Sequence, residues 1–156
     1  MSRPDGAADF DGQVRAAIAR SIRDLGRIPL IEEVAAELKS DASLVDASFV
    51  RMSDGHMFIP HRDSHEIHAY NPFCVGPTAF RVNADGRQWW GICGWDALGI
   101  PPALGVTGQV ETACADRCGQ QIVVEVGLGG RANAQHGAVL HVGVPARSFW
   151  DDIYFT

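Results

Sequence analysis

At 156 residues the chain fits one compact domain, or a small domain with an appendage, and its 46% hydrophobic and 21% charged residues are ordinary globular composition. A formal net charge of −6 excludes general affinity for phosphate backbones or anionic membranes, which need clustered positive charge. No segment approaches about 18 continuous apolar residues, and Met1-Ser2-Arg3-Pro4-Asp5-Gly6 leads into no apolar stretch, so neither a membrane span nor a signal peptide is expected.

The expected compartment is therefore the cytoplasm, where Cys74, Cys93, Cys114 and Cys118 should be thiols. The first predicted element is a helix over residues 11–25, because Val14, Ala17, Ile18, Ser21, Ile22 and Leu25 share one face; Gly26 stops it. A second helix over residues 30–39 carries the stripe Ile31, Val34, Ala35 and Leu38. Ser40-Asp41-Ala42-Ser43 reads as a turn and cap before a third helix with Leu44, Val45, Phe49 and Val50. Asp54-Gly55 is a hairpin signal leading into Met57-Phe58-Ile59.

Three helices and a hairpin predict a winged-helix-like unit over residues 1–60, followed by a second domain over residues 61–156. Such units often bind DNA. Residues 1–51, however, hold seven basic against nine acidic side chains, and the third helix offers only Arg51 beside Asp46. A packing role is expected, with no nucleic-acid partner.

From Pro77 the texture changes to strands. They are expected at 78–82 and 88–92, joined by the tight turn Asp85-Gly86, and then at 106–112, 121–126, 138–144 and 152–155. Leu128-Gly129-Gly130-Arg131-Ala132-Asn133 reads as a flexible loop. Gly127-Leu128-Gly129-Gly130 opens no helix and makes a poor phosphate loop. The fold class is α+β, helices first and an irregular mixed or antiparallel sheet second.

The segment with chemistry in it is Trp89-Trp90-Gly91-Ile92-Cys93-Gly94-Trp95-Asp96-Ala97-Leu98, closed by Pro101-Pro102. One or two helical turns fit before the prolines, and there Cys93 and Asp96, three apart, would be neighbours. A thiolate is a soft nucleophile and ligand, and a nearby carboxyl carries a proton. The bland alternative is a buried cysteine beside a capping aspartate. Trp89, Trp90, Trp95 and Trp150 surround this segment and would wall an apolar pocket or pack a core.

Two other groups are candidates. His61, His65 and His68 lie within eight residues, as solvated side chains or as metal ligands. Cys114-Ala115-Asp116-Arg117-Cys118 has looser spacing than a usual zinc pair.

The stretch from Thr78 to Gly105 resembles the core of the alkylmercury (organomercurial) lyases. Cys93-Gly94-Trp95-Asp96-Ala97-Leu98 and Pro102-Ala103-Leu104-Gly105 carry the likeness. Residues 106–114, ending at Cys114 where the family has a structural cysteine, and the closing Arg147-Ser148-Phe149-Trp150-Asp151-Asp152-Ile153-Tyr154-Phe155 extend it. The resemblance implies an alkylmercury-lyase-type domain in which two cysteines hold mercury and an aspartate relays a proton to the leaving carbon.

Residue by residue, Cys93 matches the first cysteine and Asp96 the aspartate, both implied as metal ligands. The second cysteine is missing: Trp150 and Asp151 stand there, making Asp151 a candidate second acid or base. Cys74, Cys114 or Cys118 would have to supply another sulfur. The implied function is protonolytic cleavage of a carbon–metal bond. The alternatives are a related acid–base reaction on a metal-free small molecule, or metal binding without catalysis. No cofactor is required; a soft metal ion, mercury or copper, would be substrate or ligand. The expected partner is a small molecule, and a homodimer is left open.

Overall fold

The computed structural model describes residues 5–116, 118–134 and 137–154, and the chain divides between Tyr70 and Asn71 into two compact units. Among the described residues no helix is long and apolar enough to cross a membrane.

The first unit holds α1 (Asp5–Leu25), α2 (Ile31–Leu38) and α3 (Ala42–Asp54), then the antiparallel pair β1 (Ile59–Pro60) and β2 (Ile67–Tyr70). Helix α1 starts before residue 11, but the expected stripe is its buried face: Val14, Ala17, Ile18, Ser21 and Ile22 are inside, and only Leu25 is exposed. Gly26 ends it in the left-handed region (φ 73°), a conformation that costs glycine little.

Polar side chains fix the helix starts. The Glu33 carboxylate accepts from Leu30 N–H (2.9 Å), and the Glu66 carboxylate accepts from Ile31 N–H (3.1 Å). Asp41 caps α3 by accepting from Ser43 N–H at 2.8 Å. Asp11 on α1 accepts from both Ser48 and Arg51 on α3, each at 2.6 Å. The single basic residue of α3 is thus engaged in packing.

Asp54-Gly55 is not a hairpin turn. Helix α3 runs through Asp54 with Met52 buried, and Gly55 has φ −83°, whereas the type I′ turn that Asp-Gly favours needs positive φ at both central residues. The hairpin forms one step later, across residues 61–66. There His61 and His68 pack with ring centroids 5.0 Å apart, while His65 leaves them to meet Asp46 at 2.7 Å. The three imidazoles do not converge.

The second unit contains β3 (Phe73–Cys74), β4 (Phe80–Ala84), β5 (Arg87–Gly91), α4 (Gly94–Leu104), β6 (Gly108–Ala113), β7 (Gln121–Val126), β8 (Ala132–Ala134) and a short 3-10 helix at Ala146–Ser148. Five strands form one sheet in the order β5-β4-β6-β7-β8, antiparallel at every pairing. The β4–β5 turn has positive φ at Asp85 (54°) and Gly86 (66°), the two-residue form that suits the strand twist. Val82, Trp89, Val110 and Val126 are buried, and α4 packs across β4, β5 and β6 with Ala97 and Ile100 buried.

Three expectations fail here. The stretch expected to be a flexible loop contributes β8, which pairs Ala132 with Val126. Residues 138–144 form no strand, although their apolar residues alternate. They pair with neither edge strand of the sheet, β5 or β8, and Val139 and Val142 stay exposed. Residues 152–154 form turns, and Phe155 lies outside the described residues.

Pro101-Pro102 do not close α4, which continues to Leu104 and stops at Gly105 (φ 72°). Two helical N–H donors are lost, but Ile100 and Pro101 are fully buried and hold the turn in place.

Helix α4 lies so close to β5 that a Cβ at Gly91 would sit 2.5 Å from Ala97 N and 2.7 Å from its Cα. Backbone cannot yield as a flexible side chain does. Gly91→Ala is therefore expected to destabilise the fold by about 1–3 kcal/mol or more, measured by urea unfolding; an unchanged midpoint would contradict this packing.

Candidate active site

Strand β5 ends at Gly91, and two residues later the chain turns into α4. Thr78 fixes this exit, its hydroxyl donating to Gly91 C=O at 2.6 Å while accepting from Phe80 N–H at 3.0 Å. Cys93 then occupies the cap position of α4 with extended backbone (φ −138°, ψ 175°) rather than lying within the helix. Its carbonyl accepts from Ala97 N–H (3.0 Å), and its sulfur accepts from Asp96 N–H (3.5 Å), the role an oxygen side chain usually fills.

The same sulfur donates its proton to Asp96 Oδ2 at 3.3 Å. Thiol and carboxylate are thus in direct contact at the first turn, both half-buried. Burial pushes the Cys93 thiol up; the Asp96 N–H opposes this and the Asp96 charge adds to it. Burial also raises the Asp96 carboxyl, against the hydrogen bond from Cys93. Both groups hold their protons more firmly than in water. A proton shared between them can pass from one to the other.

Cys74 enters from β3. It is buried, and its thiol is raised first by burial, with the nearby Asp96 charge adding and the N–H groups of Val75 and Gly76 opposing. Strand β3 packs against α4, so the Cys74 thiol lies near enough to feel the Asp96 charge. Nothing local in the sequence signals this, since β3 and α4 meet only through the fold.

Above the cap lies an apolar cover that sequence reasoning missed. A Cβ at Gly94 would meet Leu140 Cδ1 at 2.7 Å and the Phe80 ring at 3.3 Å, so both side chains lie over this glycine. The glycines flanking Cys93 were the available signal. The tryptophans do not form a common wall. Trp89 is buried against Phe73 (centroids 5.1 Å) and donates to Ala84 C=O, whereas Trp95 is 71% exposed.

Asp151 is exposed in the turn after the 3-10 helix, its N–H bonded to Ser148 C=O at 3.2 Å. No hydrogen bond or ion pair joins it to Cys93 or Asp96 among the described residues. A second thiol–carboxylate group lies in the β6–β7 connection. There one ligand atom from each of Cys114, Asp116 and Cys118 falls within 4.8 Å of the others.

A family model described as alkylmercury lyase matches residues 73–155, just over half of the chain. No curated protein matches it significantly. Among solved structures, that of the mercury-bound form of MerB2 aligns with a TM-score of 0.63 at 20% identity, over 86% of this chain. The chain spans about 62% of the length of that structure. That likeness establishes the fold, an α+β arrangement of the alkylmercury lyase type.

The raised Asp96 carboxyl has a consequence for stability. A carboxyl that holds its proton more tightly when folded favours folding at low pH, and this contribution is lost as pH rises through its folded value. Asp96→Asn, which cannot ionise, should therefore improve the melting temperature relative to the unsubstituted protein more at about pH 8 than at about pH 4. A difference independent of pH in thermal melts would contradict a raised Asp96.

Proposed function

The chain belongs to the alkylmercury lyase family, and on that footing we propose that it cleaves carbon–mercury bonds by proton transfer at Cys93 and Asp96. The observation that carries this reading is the 3.3 Å contact between the Cys93 thiol and the Asp96 carboxylate. The Cys93 sulfur binds the metal of an organomercury cation, and its proton passes to Asp96. The carboxyl then gives that proton to the carbon. The electron pair of the carbon–mercury bond becomes the new C–H bond, the hydrocarbon leaves, and Hg2+ stays on sulfur. Burial supports the relay, because a raised carboxyl holds the proton until the carbon takes it.

One thiolate and one carboxylate bind mercury less firmly than two thiolates would. We assign the second sulfur to Cys74, whose thiol feels the Asp96 charge. The exposed Asp151 is not needed for the relay.

Purified protein given a phenylmercury salt should release benzene. Asp96→Ala should slow release by about 10²–10⁴-fold, the usual worth of a positioned proton donor, and Cys93→Ser should abolish it. Cys74→Ala should slow turnover at least about tenfold through weaker mercury binding. Stoichiometric mercury uptake with no benzene would overturn the reading.

A further inference from the structure

We propose that Cys114, Asp116 and Cys118 form a second binding site, for a thiophilic metal cation such as Hg2+ or Cu+, distinct from the Cys93 centre. Binding of a divalent ion joins it to two sulfurs and releases two thiol protons to solvent, with no oxidant or reductant involved.

The spacing suits one shared ion. A metal–sulfur bond is about 2.3 Å, so two sulfurs on opposite sides of one metal stand about 4.6 Å apart. The ligand atoms here lie within 4.8 Å of one another. The loop that carries them is closed at its base by Cys114 N–H donating to Gln120 C=O at 2.8 Å. Asp116 organises the interior: one carboxylate oxygen accepts from the Cys114 thiol and from Cys118 N–H, both at 2.9 Å.

Ligand number decides the class of ion. Structural zinc takes four ligands in a closed tetrahedron, whereas this loop offers two sulfurs and one oxygen. Soft cations that accept two or three ligands fit that set. Cys118 and Asp116 are exposed, so an ion enters without any opening of the fold.

Strand register places the site relative to Cys93. Arg81 pairs with Glu111 and Phe80 with Gly91, so one further step puts Thr112 level with Phe80 and Gly91. Gly91 and Thr112, two residues before Cys93 and Cys114, thus end two strands separated by β4 at the same end of the sheet, about 10 Å apart. Mercury freed at Cys93 would meet a sulfur acceptor nearby. That use rests on the lyase reading; the binding does not.

The test uses a reduced chain carrying Cys74→Ala and Cys93→Ser, titrated with mercuric chloride in excess glutathione. One mercury per chain should be retained, with both remaining thiols lost to a chromogenic thiol reagent. Adding Cys114→Ser or Cys118→Ser should weaken retention about 10²-fold, because a two-point chelate becomes a single contact. Asp116→Asn should weaken it less. In the otherwise intact chain, Cys114→Ser with Cys118→Ser should lower the mercury held against glutathione by one per chain and leave benzene release unchanged. Equal retention in the single-thiol chains, or two mercury ions each on one sulfur, would overturn the proposal.

Discussion

The close seating of α4 on the end of β5 is the constraint from which the candidate site follows. With no Cβ at Gly91, the backbone of Ala97 comes within contact of the strand, and the chain has only Ile92 and Cys93 in which to pass from sheet to helix. Thr78 holds the strand end from the other side through Gly91 C=O. Cys93 is thereby forced into the cap position, with extended backbone, where its sulfur faces back over the first helical turn. Asp96 lies on that turn, and the two side chains meet there.

Chemistry and burial then work together. The first turn of a helix favours negative charge, yet the half-buried surroundings disfavour it, and for both Cys93 and Asp96 burial prevails. The result is a pair of reluctant acids in contact. The Cys114–Asp116–Cys118 loop inverts this balance. Asp116 and Cys118 are exposed, Cys114 is half-buried, and hydrogen bonds hold the carboxyl well below the usual range. The two thiol groups thus differ in the state of the carboxyl beside them.

Much of this was legible in the sequence where local rules decide. Helical periodicity marked the buried stripe of α1, and Asp85-Gly86 marked its turn because only a few residues accept positive φ there. The three-residue spacing of Cys93 and Asp96 was enough to expect contact. What escaped was set by competition between distant segments. The alternation at 138–144 reads as a strand, yet the segment joins neither edge of the sheet. The two prolines read as a helix stop until burial of Ile100 and Pro101 outweighs the lost donors. The approach of Cys74 to Asp96 depends on β3 meeting α4, which no local pattern encodes.

The hydrogen bond from Asp96 N–H to the Cys93 sulfur also makes the site self-reporting. An amide proton pointed at sulfur from 3.5 Å senses the charge on that atom directly. Ionisation of the thiol, or its capture by a cation, changes the electron density facing that proton while the surrounding helix stays in place. In an amide spectrum Pro101 and Pro102 are silent, so α4 shows a short run of signals with the Asp96 resonance near its start. That resonance responds to a change of charge at the sulfur without any label at the cysteine.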